Sequence, residues 1–559
     1  MSVSAFPRPA PQLAHLLKDI AAVAADDRPR PELPYSWVRR YERDGDRLQY
    51  ERRYFQRRAR LVALAAEAML RPDSDLDPLS DELWSVCDEY LWGLPAHLHY
   101  AESEGRTATT CVDLFAAETA HLLAETVSAL AGALDGRVAD RVRGELERRI
   151  FEPMLDPRPF RWEGFGNNWE AVCGGAAGLA ALAVLDDGPR RQHILDRCTA
   201  AMHRFLDSYG DDGGCVEGVD YWVYGFGYFF YFAHAAGSPL LDLPKVRRMA
   251  SFPQRAAFDF ADGAFVPFSD ASARPFLPAG LLTELASRYG TRPPAVIPSL
   301  YADHCYRWAH LSRTLAWYRP LPAPAQDPGQ IRDIARILGV SDGAAYFADL
   351  GWVVDPAGFA AKGGHNDEPH NHLDLGHFLL RTATATGLDD LGAGLYTKDY
   401  FGARRYESLH PSARAHSVPE IDGHTQLPGR SRRADILHHR DTPGGIEFDL
   451  DLTAAYDVDG LRRLVRRFRW NRTAATLELT DEITAGRPLM LTEVFVSRQC
   501  PTAGGWPGID LVYAGGEAAV EEVTGPDHRG CPDTAYRLLI TNPAAVGVSH
   551  HRFTFRISG

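Results

Sequence analysis

The sequence lacks the marks of a protein stabilised by disulfides. Its 559 residues include only eight cysteines, and no two of them form a CxxC pair. Cysteines scattered so widely are typical of reduced thiols that pack as small apolar residues, so we expect no disulfide framework. The segment Met1–Ala25 has no cationic start followed by an apolar core. We therefore expect no secretory signal and a cytoplasmic location.

Two further absences narrow the classes of function. The formal net charge is -14, so the chain lacks the excess of positive charge that nucleic-acid binding requires, although a local basic pocket is compatible with an anionic substrate. It also lacks a long aliphatic run. The longest uncharged stretch, Tyr221–Leu241, contains a proline and many tyrosines, which predicts a buried or cleft-lining helix and no membrane span.

The spacing of apolar residues differs along the chain and divides it into regions. Residues 1–45 are rich in proline and arginine and predict an irregular lead-in. In residues 46–325, apolar residues recur at helical spacing, as from Leu123 to Leu134. This spacing predicts antiparallel helices packed as a bundle, solenoid or toroid. Arg319–Gln330 holds four prolines and is the predicted linker.

In residues 326–559 the period changes to two. Ile446, Phe448 and Leu450 alternate with acidic residues, and a similar alternation fills Phe553–Ile557. Alternation of this kind is typical of half-buried strands with one wet face. The sequence therefore predicts a multidomain α+β protein whose C-terminal part is an antiparallel β-sandwich.

The densest chemistry lies in Gly364–His377, where four histidines and three carboxylates share fourteen residues. If this segment is extended, His370 and His372 point to the same side, which is how a metal site or a proton-transfer site begins. Two surface histidines are the alternative. Asp390 and His416 are candidate further ligands, because pairing of the predicted strands would bring them close.

Two other groups of residues precede or begin predicted helices. Asn167 and Asn168 are either an N-cap or carboxamides that bind a substrate carboxylate. Tyr221 and Tyr224 follow a glycine-rich turn and lie one helical turn apart, either as core residues or as candidates for a catalytic tyrosine.

Two more groups are candidates for sugar contacts. Trp92 and His97 belong to an aromatic and histidine-rich patch that predicts either a sugar subsite or packing at a helix end. The run Arg404-Arg405-Tyr406 predicts either a cationic clamp for a uronate or a solvated pair of charges.

Taken in order, five short motifs resemble those of the heparinase II/III-like family of polysaccharide lyases. They are Asn-Asn-Trp at 167–169, Glu-Gly-x-x-Tyr at 217–221, His-x-His at 370–372, Asp-x-Gly at 390–392 and Ala-His-Ser at 415–417. The resemblance covers the chain from about residue 80 to 425. It implies an N-terminal incomplete (α/α) toroid in residues 46–325, followed by an antiparallel β-sandwich in residues 326–559.

The resemblance also implies roles for single residues. Tyr221 and His370 take catalytic positions, and Asn168 takes the position that neutralises the substrate carboxylate. A largely structural Zn²⁺ is expected on three ligands, namely His372, Asp390 and His416. Further substrate contacts are expected from Asn167, Trp169, Tyr224, Trp92, His97, Arg404, Arg405 and Tyr406. Some members have a histidine as base where this chain has Trp169, which favours a mechanism that uses tyrosine, alone or with the histidine of the sandwich.

The implied activity is β-elimination on an anionic oligosaccharide or polysaccharide that contains uronic acid. The polymer is left open among heparan-like chains, hyaluronan and alginate, and a homodimer is one of the assemblies to expect. Two alternatives stay open. A zinc-dependent glycan hydrolase would use water activated at the same metal site. A catalytically silent carbohydrate-binding protein would keep only the fold.

Overall fold

The computed structural model describes residues 6–321, 343–382 and 386–558. These residues form two compact units. The first lies within Met1–Tyr209, Tyr221–Ala250 and Phe276–Ala325, and the second within Gly210–Asp220, Ser251–Pro275 and Gln326–Gly559. Two segments that the sequence assigns to the helical domain, residues 210–220 and 251–275, thus belong to the second unit. The boundary expected at residue 325 and linker residues 322–330 lie outside the described residues.

The helices occupy the N-terminal part of the chain, as the helical period predicts from residue 46 onward. Their bounds are α1 Ala14–Ala24, α2 Tyr35–Asp44, α3 Leu48–Leu70, α4 Asp77–Cys87, α5 Leu98–Ser103, α6 Leu114–Ala129, α7 Gly136–Leu146, α8 Glu152–Leu155, α9 Asn168–Val184, α10 Pro189–Asp207, α11 Val219–Ala235, α12 Pro244–Ala250, α13 Phe252–Arg255, α14 Ala279–Tyr289 and α15 Trp308–Trp317. Residues 1–45, predicted to be irregular, also contain two of these helices, Ala14–Ala24 and Tyr35–Asp44. Of the helices described, none is both long and apolar enough to cross a bilayer.

Glycines in α9 bring three helices close together within the first unit. A Cβ at Gly174 would lie 2.9 Å from the Cβ of Ala201 in α10. A Cβ at Gly175 would lie 2.9 Å from the carbonyl oxygen of Tyr228 in α11. Both gaps are too short for any side chain larger than glycine. These glycines therefore permit the middle of α9 to pack closely against α10 and against the middle of α11.

The strands are antiparallel and lie in the second unit. Their bounds are β1 Ala257–Asp259, β2 Ala264–Phe265, β3 Ala345–Phe347, β4 Trp352–Asp355, β5 Phe359–Lys362, β6 Gly364–Asn366, β7 Phe378–Arg381, β8 Thr386–Leu388, β9 Glu420–Ile421, β10 Gly429–Thr442, β11 Gly445–Asp451, β12 Leu461–Asn471, β13 Thr476–Ala485, β14 Leu489–Ser497, β15 Gly505–Trp506, β16 Ile509–Tyr513, β17 Glu517–Pro526, β18 Pro532–Ala544 and β19 Gly547–Ile557.

Among the described residues these strands form three larger sheets and one hairpin. An eight-stranded sheet has the order β15-β16-β19-β13-β12-β11-β10-β6, and a four-stranded sheet has the order β17-β18-β14-β9. A five-stranded sheet has the order β3-β4-β5-β7-β8. One hydrophobic core contains Phe448 and Phe468 of the first sheet, Phe495 of the second and Phe378 of the third. Residues of all three sheets therefore share one core, which explains the alternating pattern along β11 and β19.

Candidate functional site

The loop between β6 and β7, residues 367–377, carries the predicted histidines. The structure places His365 in β6 and begins the next strand at Phe378, so His370 and His372 do not lie on the extended segment considered from the sequence. His370 has φ 56°, in the left-handed region that is uncommon for residues other than glycine. His370 and His372 therefore do not follow the alternation of a strand.

A carboxylate that the sequence reasoning missed, Asp270, joins the two histidines. It lies between β2 and α14 and is 4% exposed. Nδ1 of His370 lies 2.6 Å from its Oδ2, and Nε2 of His372 lies 2.9 Å from its Oδ1. Arg405 donates to Oδ2 at 3.2 Å, and the hydroxyl of Tyr400 donates to Oδ1. Although burial opposes it, the Arg405 cation and the hydrogen bonds from both histidines hold the pKa of Asp270 well below its usual range.

The predicted metal ligands His372, Asp390 and His416 come together in the second unit. With Asp374, each offers one ligand atom, and these atoms all lie within 4.8 Å of one another. Nδ1 of His372 lies 3.1 Å from Nε2 of His416. All four residues are buried.

This group of side chains fits a zinc ion. Zinc–nitrogen bonds of about 2.0–2.1 Å at tetrahedral angles place two ligand nitrogens about 3.3 Å apart, close to the spacing of His372 and His416. Oδ2 of Asp390 and Nδ1 of His416 are buried and have no hydrogen-bond partner among the residues that the structure describes. Two imidazoles and a carboxylate are a donor set that zinc accepts.

Two buried side chains, those of Lys362 and His377, lie next to the carboxylates of this group. Lys362 donates to both oxygens of buried Asp374, at 2.6 and 2.8 Å, so the charge of that carboxylate is neutralised without a metal. Nδ1 of His377 accepts the backbone N–H of Ser417 at 2.9 Å, so in the neutral ring Nε2 carries the hydrogen. That Nε2 faces Oδ2 of Asp390 at 3.4 Å. His377 therefore lies beside the carboxylate of Asp390 without a hydrogen bond to it.

A fully buried arginine on β12 holds the two loops that carry the candidate ligands. Nη1 of Arg466 donates to the carbonyls of Gly376 at 3.0 Å and Ser417 at 2.9 Å. Its Nη2 donates to Asp481 at 2.5 Å and to Glu493 at 2.7 Å. Gly376 precedes His377, and Ser417 follows His416. The sandwich core therefore fixes both loops through one guanidinium group.

Arg405 holds the site together. Besides Asp270, it donates to the carbonyl of Asn371 at 2.9 Å and to that of Tyr400 at 3.0 Å, and it lies over the Tyr400 ring. Three of its five N–H donors are used in this way, and its side chain is 11% exposed, so its use as a uronate clamp stays a prediction. Tyr406 accepts a hydrogen bond from Asn371 at 3.1 Å.

Arg404, in contrast, lies at the surface. Its side chain is 63% exposed and forms ion pairs with Asp399 at 3.2 Å and Glu407 at 2.7 Å. This is the solvated pair of charges that the sequence left as the alternative to a clamp.

In the first unit, Asn167 caps α9. Its side chain accepts the backbone N–H of Trp169 at 3.0 Å, and the carboxylate of Glu170 accepts that of Asn167 at 2.9 Å. This reciprocal arrangement is a capping box. The side-chain oxygen of Asn167 is therefore used by the helix, as the N-cap alternative predicts.

Asn168 and Tyr221 lie at the junction of α9 and α11. Asn168 is 5% exposed, and a Cβ at Gly225 would lie 3.0 Å from the Cβ of Asn168. Tyr221 is half-buried and lies one helical turn before Gly225, on the same face of α11. Within the first unit, the structure therefore brings the predicted carboxamide to the helix face that carries the predicted tyrosine.

Two further sugar contacts predicted from the sequence are core residues. Trp92 is 1% exposed, and its indole donates to the carbonyl of Val86 at 2.8 Å. Tyr224 is buried, Arg307 lies 4.2 Å from its ring centroid, and burial raises the pKa of Tyr224 well above its usual value. Both side chains are packed as the helix-end and core alternatives predict, and their contact with a sugar stays a prediction.

His97 and Trp169 line one small pocket in the first unit. Their ring centroids lie 4.8 Å apart in an edge-to-face arrangement. His97 is buried, with Nδ1 2.7 Å from a carboxylate oxygen of Asp113, whereas Trp169 is half-buried. Contact of these two residues with a sugar stays a prediction.

The comparisons with known proteins rest on the fold. No family model matches the chain, and no curated protein matches its sequence. The structure is similar to that of the heparinase III BT4657 gene product, with a TM-score of 0.57, 11% identity, and coverage of 99% of this chain and 92% of that one. It is also similar to the heparan sulfate lyase HepC from Pedobacter heparinus, with a TM-score of 0.55, 11% identity, and coverage of 98% and 88%. The resemblance to heparinase-like polysaccharide lyases is thus confirmed in the architecture, and this chain has the fold of the heparinase III structures.

Proposed function

We propose that the protein is a lyase that cleaves uronic-acid-containing oligosaccharides or polysaccharides by β-elimination. The observation that carries this proposal is the short hydrogen bond between His370 and Asp270, in a chain that has the heparinase III fold. His370 is a proton-transfer group held by a buried carboxylate, and its side chain is 14% exposed. A fold alone does not establish an activity. A histidine that a buried carboxylate holds near the predicted metal ligands does support one.

The proposed reaction breaks two bonds of the uronate. Removal of the proton at C5 develops negative charge that extends onto the sugar carboxyl, and the side-chain amide of Asn168 hydrogen-bonds that carboxyl. Tyr221 takes the C5 proton, or gives one to the leaving O4, and His370 performs the complementary step. The electrons of the C5–H bond form the C4=C5 double bond, the C4–O4 bond breaks, and O4 leaves as a protonated hydroxyl.

We further propose that His372, Asp390 and His416 bind a structural zinc ion. When bound, zinc would join three segments of the second unit through its ligands and add stability to their folded arrangement. Their burial supports a structural role, because His372 and His416 are 0% exposed and a catalytic zinc must keep a position open for water or substrate. The same burial argues against the zinc hydrolase.

The helices of the first unit are proposed to form an incomplete (α/α) toroid. The similarity in fold to the heparinase III structures supports this arrangement. In such a scaffold, the end of α9 at Asn168 and the face of α11 at Tyr221 would contribute to the substrate-binding surface.

Product masses test the proposed reaction. We expect uronate oligosaccharides to give a product from the reducing side of the cut, with the unsaturated uronate as its new non-reducing end, that is lighter by one water than the corresponding product of hydrolysis. As a matched control, the same oligosaccharides with their carboxyl groups reduced to alcohols should not be cleaved, because their C5 proton is no longer acidified. Products of hydrolytic mass would contradict the lyase and favour a hydrolase, and binding without cleavage would favour a carbohydrate-binding protein.

A further inference from the structure

Asp270 contacts both the proposed metal site and the proposed proton-transfer site. Its Oδ1 faces Nε2 of His372, and its Oδ2 faces Nδ1 of His370. It comes from a segment one hundred residues earlier in the chain than His370. No ligand atom of Asp270 belongs to the group around His372, Asp390 and His416. Its effect on both sites therefore passes through the two imidazole rings.

The other contacts of Asp270 require it to accept hydrogen bonds. Arg405 is always a donor. The phenol oxygen of Tyr400 accepts the backbone N–H of Gly394 at 3.2 Å, so its own hydrogen points to Oδ1 of Asp270. The Arg405 cation also balances the carboxylate charge, so neither histidine has to be charged to satisfy it. Each carboxylate oxygen then has two donors, which is the capacity of an ionised carboxylate.

An acceptor of this kind determines which nitrogen of each ring carries hydrogen. Nδ1 of His370 and Nε2 of His372 face an oxygen that only accepts, so both must be N–H. The hydroxyl of Tyr396 also lies near Nδ1 of His370, but at 3.4 Å it is the more distant contact. In the neutral rings, the lone pairs are then on Nε2 of His370 and Nδ1 of His372. The lone pair of His372 faces Nε2 of His416 at 3.1 Å, on the side of the proposed metal. The lone pair of His370 is on Nε2, the nitrogen that would act as the base.

We propose that Asp270 is a positioning residue that fixes opposite tautomers in His370 and His372, so that one carboxylate prepares a base and a metal ligand at the same time. The use of His370 as a base rests on the proposed lyase function, whereas the tautomers do not. The hydrogen bond from His370 also holds that residue in its left-handed backbone conformation.

Nitrogen-15 NMR of protein labelled in its histidines tests this proposal without reference to activity. At a pH where the rings are neutral, we expect Nδ1–H with bare Nε2 in His370, and Nε2–H in His372. Signals are assigned with His370→Gln and His372→Gln. A wild-type spectrum with the reverse tautomer at either histidine would overturn the proposal.

The variant Asp270→Asn changes the shape of the side chain little but turns one acceptor oxygen into a donor NH₂. One of the two rings must then present a lone pair, so we expect its tautomer to reverse. Zinc affinity should fall about 10–100-fold, because outer-sphere partners of metal ligands have effects of this size. The matched control is Asp533→Asn, since Asp533 contacts buried His410 at 3.2 Å elsewhere in the second unit. It should leave the signals of His370 and His372 and the zinc affinity unchanged.

The outcomes separate this proposal from the proposed function. Unchanged tautomers in folded Asp270→Asn would overturn the role of Asp270, even if the wild type is an active lyase. The expected tautomers in a protein that cleaves no uronate would support the role of Asp270 and contradict the lyase. If Asp270→Asn does not fold, the wild-type spectrum still decides, together with that of Tyr400→Phe, which removes one donor and should keep both tautomers.

Discussion

Replacing Arg466 by methionine should strongly destabilise the second unit and loosen the loops of the proposed metal site. The guanidinium donates to Asp481, Glu493 and two loop carbonyls, and its side chain is fully buried. Burial and the neighbouring charge of Asp481 raise the pKa of Glu493 well above its usual value. Arg466 therefore neutralises one charge, that of Asp481, and methionine would leave this charge buried without a partner.

The expected loss in the free energy of unfolding follows from these contacts. Removing one member of a buried ion pair costs about 3–5 kcal/mol, and each buried carbonyl left without a donor costs about 1–3 kcal/mol. Because the contacts share one group, the costs do not add in full, and we expect a loss of at least about 4 kcal/mol. Domains are stable by only about 5–15 kcal/mol, so this loss is a large fraction of the total.

Denaturant unfolding, followed by tryptophan fluorescence and circular dichroism, measures this loss. The matched control is Arg463→Met on the same strand, because the Arg463 side chain is 47% exposed and its ion pair with Asp451 spans 3.3 Å. That exposed pair should contribute at most about 1 kcal/mol. Equal unfolding midpoints for the two variants would refute the role of Arg466 as the buried anchor of the metal-site loops.

Three further predictions concern the tyrosines, the metal and the pH dependence of stability. Tyr221→Phe should abolish elimination while binding and folding persist, whereas Tyr224→Phe, in the core, should keep most of the activity. Full activity of Tyr221→Phe would show that this assignment is wrong. His416→Ala should lose zinc in elemental analysis, whereas His424→Ala, at the surface, should retain it, and equal zinc contents would refute the ligand set. Burial raises the pKa of Glu118 to about 7 from a usual value of 4.5, so its contribution to stability should be greatest below about pH 4.5 and be lost as the pH rises through about 7. Glu118→Gln should flatten this part of the curve of unfolding free energy against pH. An unchanged slope would contradict the assignment of this pH dependence to Glu118.

The periodic part of the fold could be predicted from the sequence because burial repeats with the backbone. The stripe of α10 places Ile194, Cys198 and Met202 at 0% exposure, and Phe448 of β11 is equally buried. The end of α6 was less predictable. The stripe continues to Leu134, but the helix ends at Ala129, and Gly132 adopts φ 83° in the turn that follows.

The site could be predicted only where residues form local motifs. His372, Asp390 and His416 were found through such motifs, and the structure brings their ligand atoms together. Asp270 has no local signal, because it is a single aspartate in a loop one hundred residues from His370. Arg404 and Arg405 are adjacent and identical in type, yet one is exposed and the other binds Asp270. Only tertiary packing distinguishes them.

The central claim, elimination on a uronate, is tested most directly by ultraviolet absorbance. The C4=C5 double bond is conjugated with the uronate carboxyl, so a lyase produces new absorbance as it cleaves. We expect purified protein to raise the absorbance of uronate oligosaccharides in step with the appearance of new reducing ends, and to leave carboxyl-reduced oligosaccharides unchanged. New reducing ends without new absorbance would contradict the lyase.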